Sequence, residues 1–311
     1  MTDVDRAALP REFPRSRVLI AFAAVYIVWG STYLAIRYAV ETIPPFLMGG
    51  ARFLVSGAML YAWALFRGQP KPTRAQWRDA AVTGVLMLCF GNGAVAWAEQ
   101  HVPSGLAALL VAVVPLWMVL VDWARPGGTR PRAVVMLGVV IGFAGLGVLI
   151  GPGALTGHAT ADLTAAFVLV AASLAWACGS VFNRHGARPS SAVMSTGIQM
   201  LGGGVSLVLV GLMRSEPAHL QIAQVSLVSW IGWLYLVTFG SLVGFTAYIY
   251  LLQAVSPAKA STYAYVNPLV AVFLGWAIAG EEVTARTLAA AAVILAGVAM
   301  ITVGDKGGAA H

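Results

Sequence analysis

Tyr263, Tyr265 and Asn267 stand at alternate positions just ahead of Pro268, inside an apolar run over 258–280. From a helix start at Ala258, a rise of about 1.5 Å per residue puts Asn267 and Pro268 about 14 Å along the helix, at mid-membrane for a spanning segment. Proline has no N–H and clashes with the preceding turn, so the Ala264 carbonyl loses its helical donor. Hydrocarbon cannot solvate that carbonyl, and such a break is tolerated only against protein or a water-lined cavity. The phenols and the amide beside it could therefore line a substrate cavity; the alternative is a kinked helix whose tyrosines pack on neighbours. Tyr263 and Asn267 are four apart and share a face, whereas Tyr265 points about 200° away from Tyr263. The Tyr263/Asn267 face is the one expected to line the cavity.

Asn92 lies between Gly91 and Gly93 in another apolar run, where a buried amide is costly unless it bonds a neighbour or a ligand. Trp97, Trp117 and Tyr248 are further candidates, because aromatic faces bind flat or apolar solutes while indole and phenol groups fix orientation. Trp63, Trp123 and Trp230 fit interfacial anchors, as Trp97 does alternatively. Arg52 sits about 9 Å into the second span, a depth at which a charge needs a partner or a cavity. It could bind an anionic group, or pair with Glu41 or Glu99 to latch a gate. Arg37 and Glu99 fall near span ends, where snorkelling to water is the preferred account, and Asp122 is placed to pair with Arg125. No carboxylate stands at mid-span, so an obvious proton-coupling group is missing.

Catalytic and cofactor chemistry find little support. Cys89 and Cys178 fall in separate spans and His101, His158, His185, His219 and His311 are scattered, so neither a disulfide framework nor a metal site is indicated. The run GLGVLIGPG at 145–153 lacks the Lys-Ser/Thr ending of a phosphate loop. No cofactor is expected, and a membrane transferase would need carboxylates or histidines clustered at one face.

The elements that carry these residues follow from composition. Of 311 residues 59% are hydrophobic and 10% charged, with a mean hydropathy of +0.81, which excludes an ordinary soluble domain. Apolar spans fall at about 18–40, 46–66, 79–98, 104–124, 132–150, 162–182, 191–213, 228–254, 258–280 and 285–303, each near the roughly 20 residues that a bilayer core requires. The expected fold is an all-α polytopic membrane protein of ten transmembrane helices, with a tail at 1–17. The first run is too long for a signal-peptide core and stays as a helix. Fifteen of the 19 basic residues lie in the tails and in the loops of one face, which puts both termini in the cytoplasm. The net charge of +7 thus reflects topology, and its scatter over short loops argues against a nucleic-acid partner.

The chain also repeats. Trp29 with Trp176, Arg37 with Arg184, Gly50 with Gly197, Leu54 with Leu201 and Gly57 with Gly204 align at one offset of 147 residues. Phe90-Gly91-Asn92 then meets Phe239-Gly240-Ser241, Pro115-Leu116 meets Pro268-Leu269, and Ala144-Gly145 meets Ala296-Gly297 at slightly larger offsets. Two halves of five spans each, 18–150 and 162–304, must sit in opposite orientation, the inverted repeat of many secondary transporters, with helices broken at the midplane by Pro115 and Pro268.

The stretches IVWGSTYLAIRYAVETIPPFLMGGARFLVSG (27–57), FGNGAVAWAEQHVPSGLAALLVAVVPLW (90–117) and SPAKASTYAYVNPLVAVFLGWAIAGEEVT (256–284) resemble the signatures of the drug/metabolite transporter superfamily, EamA-type exporters, within it a YedA-like branch of the inner membrane. The resemblance covers about 18–303. It implies two inverted EamA repeats, a central cavity lined mainly by helices 3, 4, 8 and 9, gating hairpins of helices 1–2 and 6–7, and a small-molecule substrate that it does not name. Unlike the small multidrug relatives, helix 1 carries no embedded glutamate. A secondary carrier exporting metabolites, amino acids or drugs is the expected function; a passive channel or membrane scaffold is the alternative.

Overall fold

The structure is a computed structural model and describes residues 13–128, 130–150, 163–255 and 262–305. Most of the 1–17 tail lies outside these residues, as do Gly157, His158, Lys259, Lys306 and His311. The helices in chain order are α1 (Arg15–Ala39), α2 (Pro45–Phe66), α3 (Arg74–Ala98), α4 (Ser104–Ala124), α5 (Ala133–Ile150), α6 (Leu163–His185) and α7 (Ala192–Met213). Next come α8, running through Leu227–Tyr235, Leu236–Val243 and Gly244–Ala254, then α9 (Tyr263–Ala279) and α10 (Ala285–Asp305). Among the described residues eight helices are long and apolar enough to cross a membrane, and Tyr263–Ala279 and Ala285–Ile301 are shorter apolar helices. Among the described residues there is no strand.

Local chemistry sets the helix starts. Thr73 accepts from the Gln76 N–H while the Gln76 side chain accepts from the Thr73 N–H, a reciprocal cap on α3. Ser191 and Ser226 cap α7 and α8 through single side-chain bonds, and Pro45 opens α2, where its missing N–H costs nothing. Outward-facing Leu19, Phe66, Phe167, Leu209, Phe273 and Trp276 are exposed, which suits a surface solvated by lipid chains rather than water.

Two helix pairs hold the halves together through glycine. A Cβ on Gly50 would lie 3.3 Å from the Gly204 carbonyl, and one on Gly57 would lie 3.0 Å from the Gly197 carbonyl. As the number rises along α2 it falls along α7, so these helices run antiparallel. The two contacts also exchange under the sequence repeat, since Gly50 aligns with Gly197 and Gly57 with Gly204. That reciprocity is the mark of a two-fold relation. On the other side α5 packs on α10 with Gly138 against the Gly297 carbonyl. The remaining neighbours exchange in the same way: α1 lies on α8 and α9, and α6 lies on α3 and α4.

Both α3 and α8 widen into π-helix, at Val85–Gly93 and Leu236–Val243. These segments contain the aligned FGN and FGS triplets. Single π turns inside α-helices mark local strain and accompany functional sites. The proline pair behaves unequally. α4 is interrupted at Ala112–Val113, between Ser104–Val111 and Val114–Ala124, with Pro115 at the start of the second piece. α9 is continuous through Pro268, against the expectation of a break there. The reason is position: Pro268 is the sixth residue of α9, so the one bond it removes, to the Ala264 carbonyl, falls a turn from the helix start and leaves too short a preceding piece to stand as a separate helix.

Candidate functional site

Two of the expected residues, Tyr248 and Tyr263, meet at the crossing of the halves. Trp29 of α1 packs on Tyr248 of α8 and Tyr263 of α9, both with ring centroids 5.1 Å away, and Tyr248 and Tyr263 stand edge to face at 5.5 Å. The Trp29 indole donates to the Gly240 carbonyl in the π segment of α8, 3.2 Å. Trp176 repeats the placement from α6, its ring against Gly91 in the π segment of α3. Trp29 was not among the candidates; its alignment with Trp176, opposite two glycine-bearing triplets, was the signal available.

One turn from Tyr263, Asn267 is 8% exposed and its side-chain oxygen has no hydrogen-bond partner. Tyr265 points the other way and donates to the Val298 carbonyl of α10, 2.8 Å. Asn92 is half-buried within the π segment of α3. The other candidates lie apart from this cluster. Trp97 stacks on His101 at 4.6 Å, and Trp117 packs on Phe143 of α5 at 4.8 Å, its buried indole N–H unpaired.

The expected partners of Arg52 are not its partners. Arg52 is 5% exposed, donates from Nε to the Ser241 hydroxyl at 3.0 Å and lies over the Phe53 ring. Its helical phase turns it toward α8, whereas Glu41 and Glu99 open on a different space, and among the described residues it has no carboxylate. Its counterpart by the repeat is Gln199, which bonds Asn183 and Ser195, so only one half brings a cation to this level.

The end of the molecule carrying the 40–44, 99–103, 214–226 and 280–284 loops is acidic, and it corrects the snorkelling expectation for Arg37 and Glu99. Arg37 bonds Glu281 through Nη1 and Oε1. Glu281 also accepts from the Ser104 N–H (2.8 Å), the Ser104 hydroxyl (2.7 Å) and the Gly105 N–H (2.9 Å), an anion on the positive start of α4. Gly280, at φ 65°, ends α9 and turns the chain so that Glu281 faces that start. Burial works against the Glu281 charge, but the bonds from Gly105, Ser104 and Arg37 outweigh it and hold the carboxyl below the ordinary range. Glu99, one residue past α3, is 4% exposed with both oxygens unpartnered. Burial, helped by the nearby Glu281 charge, pushes its carboxyl well up, against a smaller pull from Arg37. It is covered because Ala98 and Val102 on either side are core residues.

Glu99, Arg37, Glu41, Gln100 and His101 line a cavity of about 520 Å³, and Gly105, Val272, Glu281 and Glu282 line a smaller one of about 100 Å³. Neither is lined by Asn92, Trp117, Tyr248, Tyr263 or Asn267, and Trp97 is absent from both. At the same end Glu216 accepts from the N–H groups of Phe46 and Leu47 at the start of α2 (3.2 and 2.8 Å). Among the described residues no group of three or more His, Cys, Asp or Glu could hold a metal ion. Asp122 pairs with Arg125 at 2.8 Å.

Apolar helices in two interlocked halves, with a few polar and aromatic side chains converging where the halves cross, define a polytopic membrane protein built like a transporter. Residues 16–151 and 163–303 each match the EamA-like transporter family, and the chain belongs to that family. It is 40% identical over 285 residues to the uncharacterized inner membrane transporter YedA of Escherichia coli K12, covering 91% of this chain and 90% of the relative. It is 22% identical over 296 residues to the uncharacterized transporter YvbV of Bacillus subtilis 168, covering 95% of each. A crystal structure of a protein 21% identical superposes with a TM-score of 0.61 over 93% of this chain and 98% of the other, a likeness of fold.

Proposed function

We propose that this transporter is a secondary carrier exporting small metabolites, amino acids or drugs by alternating access, with ten membrane helices in two inverted five-helix repeats and both termini in the cytoplasm. The observation that carries the reading is the reciprocal packing of α2 on α7 through Gly50–Gly204 and Gly57–Gly197. Antiparallel helices related by a two-fold axis have that axis across their length, hence in the plane of the bilayer. A pore needs no such exchange, whereas a carrier uses it to swap the roles of its halves.

The solute's wall in this reading is the Trp29, Tyr248 and Tyr263 cluster with the unpaired Asn267 oxygen. Aromatic faces supply area and the amide a directional contact. Asn92, Trp97 and Trp117 join it only if α3 and α4 move. The bonds of the acidic end join the halves: Arg37 to Glu281, Glu216 to α2, the Ser226 N–H to the Thr42 hydroxyl, and the Ser229 hydroxyl to the Tyr38 carbonyl. These are the contacts that opening at this end must break.

The test is flux in proteoliposomes, with solutes found by thermal stabilisation of the purified protein, since a ligand of the folded state raises its stability by mass action. A carrier saturates and is accelerated by solute on the far side. Linear, unstimulated flux sinks the reading. Asn267→Leu is expected to cut transport at least tenfold with insertion intact, because it removes a polar contact and makes α9 easier to insert. Tyr265→Phe, on the α10 side, is expected to leave transport within about twofold, the loss of one bond of modest net worth.

A further inference from the structure

We propose that Glu99 is a proton-binding site open to the 520 Å³ cavity of the acidic end, and that its ionised form takes Arg37 from Glu281. Glu99 is 4% exposed, lines a space wide enough for water, and has no hydrogen bond on either carboxyl oxygen. An ionised carboxylate in such a place carries an uncompensated desolvation cost, and a bound proton removes it. Release is balanced simply: the O–H bond of Glu99 breaks, its proton passes to cavity water, and the charge left behind needs a cation.

Arg37 is the cation within reach. It lines the same cavity and its side chain is 33% exposed, so it is not locked in place. Glu281 can release it because three donors of Ser104 and Gly105 still hold that carboxylate. The exchange would untie α1 from the start of α4 and the 280–284 loop. The other groups facing the site are Tyr33 of α1, Glu41 of the loop that follows it, His101 of Glu99's own loop, and Glu282 beside Glu281. Among the described residues α2 and α6, also packed against the end of α3, bring no charged side chain to the cavity. The carrier reading is needed only for the use made of the proton; its binding is a property of the resting protein.

Infrared difference spectra of the full chain in lipid, titrated with the proton alone as probe, test this. A protonated-carboxyl carbonyl band is expected to persist well above the ordinary carboxylate range, to vanish in Glu99→Gln and to remain in Glu41→Gln. Glu281→Gln frees Arg37 and is expected to lower the band's midpoint by about one to three pH units, and Arg37→Gln to raise it by a similar amount. Loss of the band in wild type at ordinary carboxylate pH, or an unmoved midpoint in both Arg37→Gln and Glu281→Gln, overturns the proposal, and neither outcome depends on Glu99→Gln folding. A protein with the band and the shifts but no saturable flux keeps the proton site and loses the carrier.

Discussion

At the scale of the residue, two carboxylates a short distance apart are driven in opposite directions by what surrounds them. Glu281 has four donors and is held low; Glu99 has none and is pushed up. The stability that Glu281 contributes is fully present above the unfolded glutamate value of about 4.3 and is lost as pH falls through its lower folded value. Thermal unfolding in detergent should therefore show an acid limb that Glu281→Gln flattens. Glu99 acts with the other sign: stability declines as pH rises from about 4.3 through its raised folded value, a slope that Glu99→Gln should remove. Glutamine variants that leave both limbs unchanged would show that these carboxyls are not perturbed.

At the scale of the element, a backbone turn and a row of small residues do what side-chain chemistry alone could not. Gly280 sits in the left-handed region, which costs other residues about 1–2 kcal/mol. Gly280→Ala is expected to lower stability by about that amount and to loosen Glu281 from Ser104, read as reduced thermal stability together with faster exchange of the α4 N-terminal amides. In the middle of the bundle a Cβ at Gly57 would stand 2.9 Å from the Leu201 nitrogen, so backbone and not a flexible side chain blocks it. Gly57→Leu must push α2 from α7, and we expect loss of folded, monodisperse protein on gel filtration, while a leucine at Gly147, which has open space around it, should be tolerated.

At the scale of the whole molecule, charge fixes the expected orientation. A reporter fused after His311 should read cytoplasmic and one inserted at Gly157 should read external, because basic loops are retained on the cytoplasmic side; the reverse readings would overturn the charge argument.

What the sequence determined by itself was everything that depends on local composition and order. Span lengths follow from runs of apolar residues, so most helices fall within a few residues of their expected bounds, with α3 starting earlier at Arg74 and α9 later at Tyr263, and the collinear matches between the halves revealed the repeat whose glycines interlock α2 with α7. Helical phase separated Tyr263 and Asn267 from Tyr265, which indeed bonds α10 on the opposite side. What only the tertiary structure decided was which side chains meet across the halves. Arg52 reads as a charge in search of an acid until α8 offers Ser241, and Arg37 and Glu99 read as snorkelling groups until the turn at Gly280 delivers Glu281, 244 residues from Arg37, and the core closes over Glu99. The physical reason is that burial and pairing are sums over neighbours distant in the chain, whereas periodicity and hydropathy are properties of the segment itself.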